Sequence, residues 1–153
     1  MRVLITGATG LVGKAIVKQC HKKDIAVHYL TTSKSKLTIQ ENYKGFYWNP
    51  SENIIDTACF EGVDAIINLA GATISKRWTP NYKKAILNSR LQSLNVLKEA
   101  LGKQNHSVKQ LISASAIGIY PDSLTNYYDE NSTEVSSTFL GQVVSQWEAT
   151  ANS

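Results

Sequence analysis

Short apolar runs alternate with amphipathic stretches along the first part of the chain. Runs rich in β-branched residues at Arg2–Thr6 (RVLIT) and Ile25–Leu30 (IAVHYL) predict two strands. Between them, Leu11–Cys20 repeats its apolar residues at helical spacing, with Ala15 and Ile16 on the same face as its two ends. The chain therefore begins with a strand, a helix and a second strand.

The same alternation continues through the rest of the chain. Asp64–Leu69 is an almost continuous apolar run, which is typical of a strand in a parallel sheet covered on both faces. Thr79 and Pro80 mark the start of a long helix, as its N-cap and first helical residue. The elements predicted after residue 30 are a possible short helix within the polar segment 31–43, strands at 45–48, 64–69 and 108–113, and helices at 80–101 and 134–152. This order predicts an α/β fold with a doubly wound parallel sheet.

The turn between the first strand and the first helix reads TGATGLVG, residues 6–13. Gly7 allows a sharp turn, Gly10 lets a pyrophosphate approach the backbone, and Gly13 lets the helix pack closely on the strand. The helix N-terminus adds backbone N–H groups and the positive end of its dipole. Glycines also serve in plain turns, but the strand before and the helix after favour a phosphate-binding loop. Its candidate cofactor-binding residues are Thr6, Gly7, Thr9, Gly10, Leu11, Val12 and Gly13.

Composition excludes several classes of function. The 153 residues, 42% hydrophobic and 18% charged, indicate an ordinary globular domain. The net charge of +4 comes from scattered lysines without a basic stripe, so we expect no nucleic-acid partner. No apolar run approaches membrane-spanning length and no signal peptide precedes the first strand, which predicts a cytoplasmic protein without a membrane partner. Cys20 and Cys59 stand alone and the three histidines show no ligand spacing, so neither a disulfide nor a metal site is expected.

Several motifs together with the glycine turn resemble one protein family. INLAG at Ile67–Gly71 makes the chain similar to the extended, epimerase/dehydratase-like division of the short-chain dehydrogenase/reductase superfamily. The stretches KRWT (76–79), SR (89–90), ISASAIGIY (112–120) and QWEATA (146–151) narrow the resemblance to its "epimerase family" proteins. It covers essentially the whole chain. It implies a Rossmann fold, a nicotinamide dinucleotide cofactor and a small-molecule substrate of unknown identity, with residues 1–153 as an NAD(P)-binding Rossmann domain.

The resemblance also places candidate binding residues after the fourth predicted strand and on the long helix. It implies that Asn68, Leu69, Ala70 and Gly71 line the adenine and ribose side of the cofactor, although small residues there also permit tight packing at a strand end. Ser89 falls near a structural asparagine of the family. The neighbouring Arg90 could reach a phosphate, but we expect it on the helix surface.

The end of the second strand bears on which cofactor is preferred. Relatives that prefer NAD usually place an acidic residue there to hold the adenosine ribose. Here Thr31, Thr32 and Ser33 are followed by Lys34 and Lys36, and no carboxylate is available. Hydroxyls and lysines suit a 2′-phosphate, although single lysines in a loop are often only solvated. We therefore predict NADP, with NAD as the alternative, and Thr32, Ser33 and Lys34 as further cofactor-binding residues.

The catalytic Tyr-x-x-x-Lys pair of the superfamily is missing. None of the seven tyrosines has a lysine four residues later, and alignment of Glu148 places Leu140 and Val144 at the two positions. Neither aliphatic side chain transfers a proton. Ser115 matches the serine that hydrogen-bonds a substrate oxygen, with Ser113 as the alternative. Tyr120, or one of the tyrosines at 127 and 128, is the candidate substitute for the missing tyrosine.

Two functions follow from these observations. The first is an NADP-preferring, epimerase/dehydratase-like oxidoreductase of unknown substrate, with Ser115 and Tyr120 as candidate catalytic residues. The alternative is a non-catalytic dinucleotide-binding sensor or scaffold that lacks the tyrosine–lysine pair. Family members continue past the last predicted helix with a further strand and a C-terminal substrate region. We therefore expect a Rossmann-type sheet that is truncated before that region, and a chain that is inactive by itself. The sheet would then have an exposed edge, which favours a homodimer.

Overall fold

The computed structural model describes residues 1–153 as a predominantly parallel sheet with helices on both faces. The strands are β1 (Arg2–Thr6), β2 (Ala26–Thr31), β3 (Ile39–Gln40), β4 (Tyr43–Asn49), β5 (Ile54–Ile55), β6 (Ala65–Asn68) and β7 (Gln110–Ser113). The helices are α1 (Leu11–Lys22), α2 (Pro80–Gly102) and α3 (Phe139–Asn152). Every strand and long helix that the sequence predicts is present, and the possible short helix within 31–43 is a 3-10 turn at Lys34–Lys36. The short strands β3 and β5 were not predicted.

The strand order across the sheet is β3-β4-β2-β1-β6-β7, with β5 paired to β4 outside this path. Strands β4, β2, β1, β6 and β7 are parallel, whereas β3 and β5 run antiparallel to β4. The order moves outward from β1 in both directions, which is the Rossmann-type arrangement that we predicted. The carboxyl ends of β1 and β6 are in register, because Thr6 lies opposite Asn68.

The two faces of the sheet carry separate hydrophobic cores because successive side chains of a strand point to opposite faces. On one face, Leu4 of β1 and Ile66 of β6 pack with Leu97 of α2. On the other face, Ile5 of β1 packs with Cys20 of α1. Strand β1 is buried on both sides and therefore reads as a continuous apolar run. No helix combines the length and hydropathy needed to cross a membrane.

The start of the last helix corrects one sequence prediction. We predicted the helix from Glu134, but α3 begins at Phe139. Thr138 is its N-cap and accepts a hydrogen bond from the Gly141 backbone N–H at 3.2 Å. Before the cap, the backbone N–H of Ser136 donates to the carbonyl of Ile119 at 2.7 Å. This contact between distant segments keeps residues 134–138 out of the helix.

Candidate functional site

The glycine turn requires glycine for backbone reasons at two of its positions. Gly7 has a φ of +71°, and a Cβ there would lie 3.0 Å from the carbonyl oxygen of Leu69. A Cβ at Gly13 would lie 2.7 Å from the Cα of Ala8 and closer still to the carbonyl oxygen of Gly7. The turn is therefore packed against both the start of α1 and the segment that follows β6.

Gly10 and the first turn of α1 leave an open surface for an anion. Gly10 is the N-cap of α1 and provides no side-chain hydrogen bond to the helix. The first turn has no acidic residue, and Leu11 and Val12 are 91% and 59% exposed. The backbone N–H groups at this end thus lack a side-chain cap. A phosphate fits here, because the helix dipole and the uncapped N–H groups both favour negative charge.

Thr6 and Asn68 connect the ends of three neighbouring strands. Thr6 Oγ1 donates to Asn68 Oδ1 at 2.7 Å and accepts from the backbone N–H groups of Leu69 and Ala70, each at 3.0 Å. Asn68 Nδ2 in turn donates to Ser113 Oγ at 3.3 Å. Thr6 and Asn68 are fully buried. These side chains therefore fix the backbone after β6, and that is the position predicted to line the cofactor.

A cleft of about 440 Å³ lies over the carboxyl ends of the strands. The cleft is bounded by the glycine turn, the ends of β2 and β4, the segment after β6 and one face of α2. Its lining residues are Gly7, Thr9, Leu30, Thr31, Thr32, Ser33, Lys36, Trp48, Asn49, Pro50, Ser51, Ala70, Gly71, Ala72, Ser89, Gln92 and Ser93. The lining contains one cationic side chain and no carboxylate.

The loop after β2 is held from inside the sheet. The buried Tyr29 hydroxyl donates to the carbonyl of Lys36 at 2.6 Å and accepts from the backbone N–H of Thr38 at 3.0 Å. Gly45 makes room for this ring, because a Cβ there would lie 2.5 Å from the Tyr29 hydroxyl. Lys36 consequently lines the cleft, whereas the ammonium of Lys34 lies 5.2 Å from the centre of the Tyr47 ring.

Ser89 and Arg90 both hold the segment after β6. Ser89 Oγ accepts from the backbone N–H of Ala72 at 2.9 Å and donates to the Ile86 carbonyl at 3.1 Å. We expected Arg90 on the helix surface, but in the structure its side chain contacts other segments. Its Nη1 donates to the carbonyls of Ile86 and Ala72 at 2.9 and 3.3 Å, and its guanidinium stacks over the ring of Trp147. The error arose because helix periodicity does not show that α3 packs on α2 here.

The candidate catalytic residues lie beyond the end of β7. Ser115 is exposed, and its hydroxyl donates to the carboxylate of Glu148 on α3. The ring of Tyr120 stacks on Tyr128, with centroids 5.6 Å apart and planes 9° apart. Both candidates thus follow the carboxyl end of β7, but Ser115 contacts Glu148 whereas Tyr120 contacts Tyr128.

The two positions of the missing tyrosine–lysine pair are used for packing. Val144 is 3% exposed. Leu140 packs against Gly118, where an added Cβ would lie 3.3 Å from the Cβ of Leu140. Neither side chain offers a polar atom at this place.

Sequence reasoning missed part of the cleft. The sequence pointed to both Lys34 and Lys36 near the proposed 2′-phosphate, but only Lys34 was named as a binding residue, whereas Lys36 lines the cleft. Gln92 and Ser93 line the cleft from α2. The sequence could have predicted these two residues, because they follow the candidate Ser89 by three and four positions and so lie on the same face of the helix. Residues 49–51, at the end of β4 and just after it, carried no comparable signal.

A parallel sheet wound outward from β1, with a glycine turn leading into α1, defines a Rossmann-type α/β protein. The model of the "NAD dependent epimerase/dehydratase family" matches residues 3–139. The chain belongs to this family, which confirms the resemblance seen in the sequence.

Individual relatives support the same assignment. An epimerase family protein of Staphylococcus aureus (strain MRSA252) is 39% identical over 145 residues, which are 95% of this chain and 47% of the relative. A relative from Staphylococcus haemolyticus has the same identity and coverage. The chain thus spans about half the length of the curated relatives that it matches.

Solved structures share the fold. The human epimerase family protein SDR39U1 (isoform 2), solved with NADPH, gives a TM-score of 0.77 at 27% identity and covers 99% of this chain and 48% of that chain. UDP-glucuronic acid 4-epimerase from Bacillus cereus, solved with NAD, gives a TM-score of 0.76 at 15% identity, with coverages of 99% and 51%. At that identity the second likeness concerns the fold alone.

Proposed function

We propose that this chain binds a nicotinamide dinucleotide, preferably NADP, as part of an epimerase/dehydratase-like oxidoreductase. The observation that carries the NADP preference is the charge of the cleft: Lys36 lines it next to Thr32 and Ser33, and no carboxylate does. A carboxylate would repel a 2′-phosphate, whereas a lysine and two hydroxyls attract it. The human relative solved with NADPH supports the same choice.

The residues present fit such a cofactor. The glycine turn gives a pyrophosphate access to the backbone, and the uncapped N–H groups of α1 supply donors. Thr6 and Asn68 fix the backbone of the segment that bounds the cleft on its far side. When bound, the nicotinamide would supply hydride transfer to or from a carbon of the substrate.

The substrate side is proposed from the residues beyond β7. Ser115 would hold a substrate oxygen, and Tyr120 remains the candidate from the sequence for moving a proton at that oxygen. A carbonyl compound or a nucleotide-sugar-like molecule suits this chemistry in the whole protein. Neither the fold nor the relatives favour the non-catalytic sensor that the sequence left open.

Calorimetric titration with NADPH and NADH tests the proposal. Lys36→Gln removes the cation from the cleft, and Lys34→Gln is the matched control because Lys34 lies against Tyr47 instead. Loss of one charge-assisted hydrogen bond of about 1.5 kcal/mol corresponds to roughly tenfold weaker binding. We expect this loss for NADPH with Lys36→Gln only, and little change for NADH. Tighter binding of NADH by the unmodified chain would contradict the NADP preference.

We propose turnover for a protein that also contains the second half present in the curated relatives, of which this chain spans about half. There, NADPH oxidation against a panel of carbonyl compounds should disappear on Ser115→Ala while NADPH affinity stays the same. Retention of full turnover by Ser115→Ala would remove Ser115 from the site.

A further inference from the structure

Arg90 is held in a defined place between three parts of the structure. Its Nη1 donates to the carbonyls of Ile86 on its own helix and Ala72 after β6, at 2.9 and 3.3 Å. A Cβ added to Gly71 would lie only 3.1 Å from the guanidinium carbon of Arg90. On the other side, that carbon lies 5.1 Å from the centre of the Trp147 ring on α3. The guanidinium therefore cannot move freely as a surface arginine does.

The charge of Arg90 has no counterpart in the chain. The one ion pair of the structure joins Lys103 to Glu99, and no carboxylate lies within ion-pair distance of Arg90. Its Nε and Nη2 have no acceptor within the protein, since both of its hydrogen bonds come from Nη1. Burial lowers the pKa of Arg90, while nearby Tyr82 opposes this effect. Neither donor is fully buried, so water reaches both of them in the free chain, and an oxygen acceptor of a ligand would replace that water.

Arg90 lies near the position of a lysine that the family pattern has and this chain lacks. Val144 stands where the resemblance places a lysine, and it is buried. Trp147 follows Val144 by three residues on α3, so the two share one face of that helix. Because Arg90 packs on Trp147, its charge lies beside the face from which the lysine is missing.

Arg90 also contacts one particular part of the cleft wall, at Gly71 and Ala72, although its own side chain is not among the lining residues. In a doubly wound sheet each half binds one mononucleotide, and the two halves meet at the central strand. The half with β2 and β4 carries Lys36, which we assign to the adenosine phosphate. Arg90 contacts Gly71 and Ala72, which follow β6 and so lie across β1 from β2 and β4. We follow this strand order in assigning them to the other half, whereas the resemblance implied the adenine and ribose side for Gly71.

We propose that Arg90 supplies from α2 the cation that Val144 does not supply from α3, and that it binds oxygen atoms of the nicotinamide-ribose half of the dinucleotide. This inference rests on the proposed function. Arg90 acts as a binding and positioning residue, and its free Nε and Nη2 donors suit ribose hydroxyl and phosphate oxygens. This binding role requires no proton transfer by the guanidinium.

Two ligands separate this role from a purely structural one. NADPH contains both halves of the dinucleotide, whereas adenosine 2′,5′-bisphosphate contains only the adenosine half with its phosphates. Both are titrated calorimetrically into the 153-residue chain and into Arg90→Met, chosen because the unbranched methionine side chain has an apolar stem that can pack on Trp147 without a charge. Lys98→Met is the matched control, because Lys98 also lies on α2 and contacts α3, through the Thr150 carbonyl at 3.2 Å.

We expect Arg90→Met to weaken NADPH binding by about tenfold or more and to change adenosine 2′,5′-bisphosphate binding by less than about twofold. Lys98→Met should change neither. Arg90→Gln, which keeps an amide donor but no charge, is the second variant and should show the same selective loss if Arg90→Met does not fold.

Each other result overturns the inference. Equal weakening of both ligands would mean that Arg90 acts only by holding α2, α3 and the segment after β6 together. Unchanged NADPH binding would mean that it does not reach the cofactor. Failure of the unmodified chain to bind either ligand would overturn the proposed function as well. The first two results, in contrast, overturn only the role of Arg90.

Discussion

Replacement of Gly13 by alanine tests whether the glycine turn is limited by packing. In most helices this change is stabilising, because alanine has a better helix propensity than glycine by about 1 kcal/mol. Gly13 lies in the first turn of α1, but its added Cβ would lie 2.7 and 2.9 Å from the Cα and carbonyl carbon of Ala8, and closer to the Gly7 carbonyl oxygen. All three atoms belong to the backbone and cannot rotate away.

The size of the effect follows from these contacts. Overpacking costs about 1–3 kcal/mol where side chains can adjust, and rigid backbone atoms place Gly13→Ala at or above the upper end of that range. After subtraction of the propensity gain, we expect a net loss of about 2 kcal/mol in the free energy of unfolding. For a chain of this length the melting temperature should fall by about 4–8 °C.

Gly102→Ala provides the matched control within the same molecule. Gly102 is the last residue of α2, and a Cβ there meets no atom within 4 Å. This variant should leave the stability unchanged or raise it by up to about 1 kcal/mol. Thermal unfolding followed by circular dichroism measures both variants. A Gly13→Ala chain as stable as the Gly102→Ala chain would refute the packing argument, because propensity alone would then decide both results.

Three further changes have definite expected outcomes. Gly10→Val should fold, since a Cβ there contacts only the Gly7 carbonyl oxygen at 3.2 Å, but calorimetry should detect no NADPH binding because the side chain occupies the phosphate approach. Thr6→Val leaves Asn68 Oδ1 and two backbone N–H groups without their hydroxyl partner and should lower the urea-unfolding free energy by about 2–3 kcal/mol. Burial lowers the pKa of His28 from its ordinary value of 6.5, so below that pH the unfolded chain binds more protons and stability falls. His28→Gln, which keeps a donor toward the Cys59 carbonyl, should reduce this loss between pH 7.5 and 5.5 in urea unfolding, and an unchanged pH dependence would contradict the assignment to His28.

The order of elements was predictable because it depends on local patterns. Strand β1 lies in the middle of the sheet, so both of its faces are buried and Arg2–Thr6 reads as an apolar run. Thr79 and Pro80 mark the start of α2 because N-cap and first-turn positions have their own residue preferences. The glycine turn was recognisable for the same reason, since its spacing reflects a backbone requirement at Gly7 and Gly13.

The remaining features depend on contacts between distant residues. The cap of α3 at Thr138 is a local signal that the sequence reasoning did not use, whereas the hydrogen bond from the Ser136 N–H to the Ile119 carbonyl belongs to no helix pattern. Lys36 rather than Lys34 reaches the cleft because the Tyr29 hydroxyl fixes the backbone there. Arg90 is covered because α3 packs on α2, which follows from the tertiary fold alone. The roles of Ser115 and Tyr120, a homodimer and a cytoplasmic location stay predictions.

The anchoring of the loop after β2 by Tyr29 has an evolutionary consequence. The shape of this loop is set by a core residue that lies outside it, through hydrogen bonds to backbone atoms of residues 36 and 38. Side chains at Thr32, Ser33 and Lys36 can therefore be exchanged while the backbone that presents them stays in place. On the function proposed above, a few substitutions at these positions would change which dinucleotide is preferred while the fold stays the same.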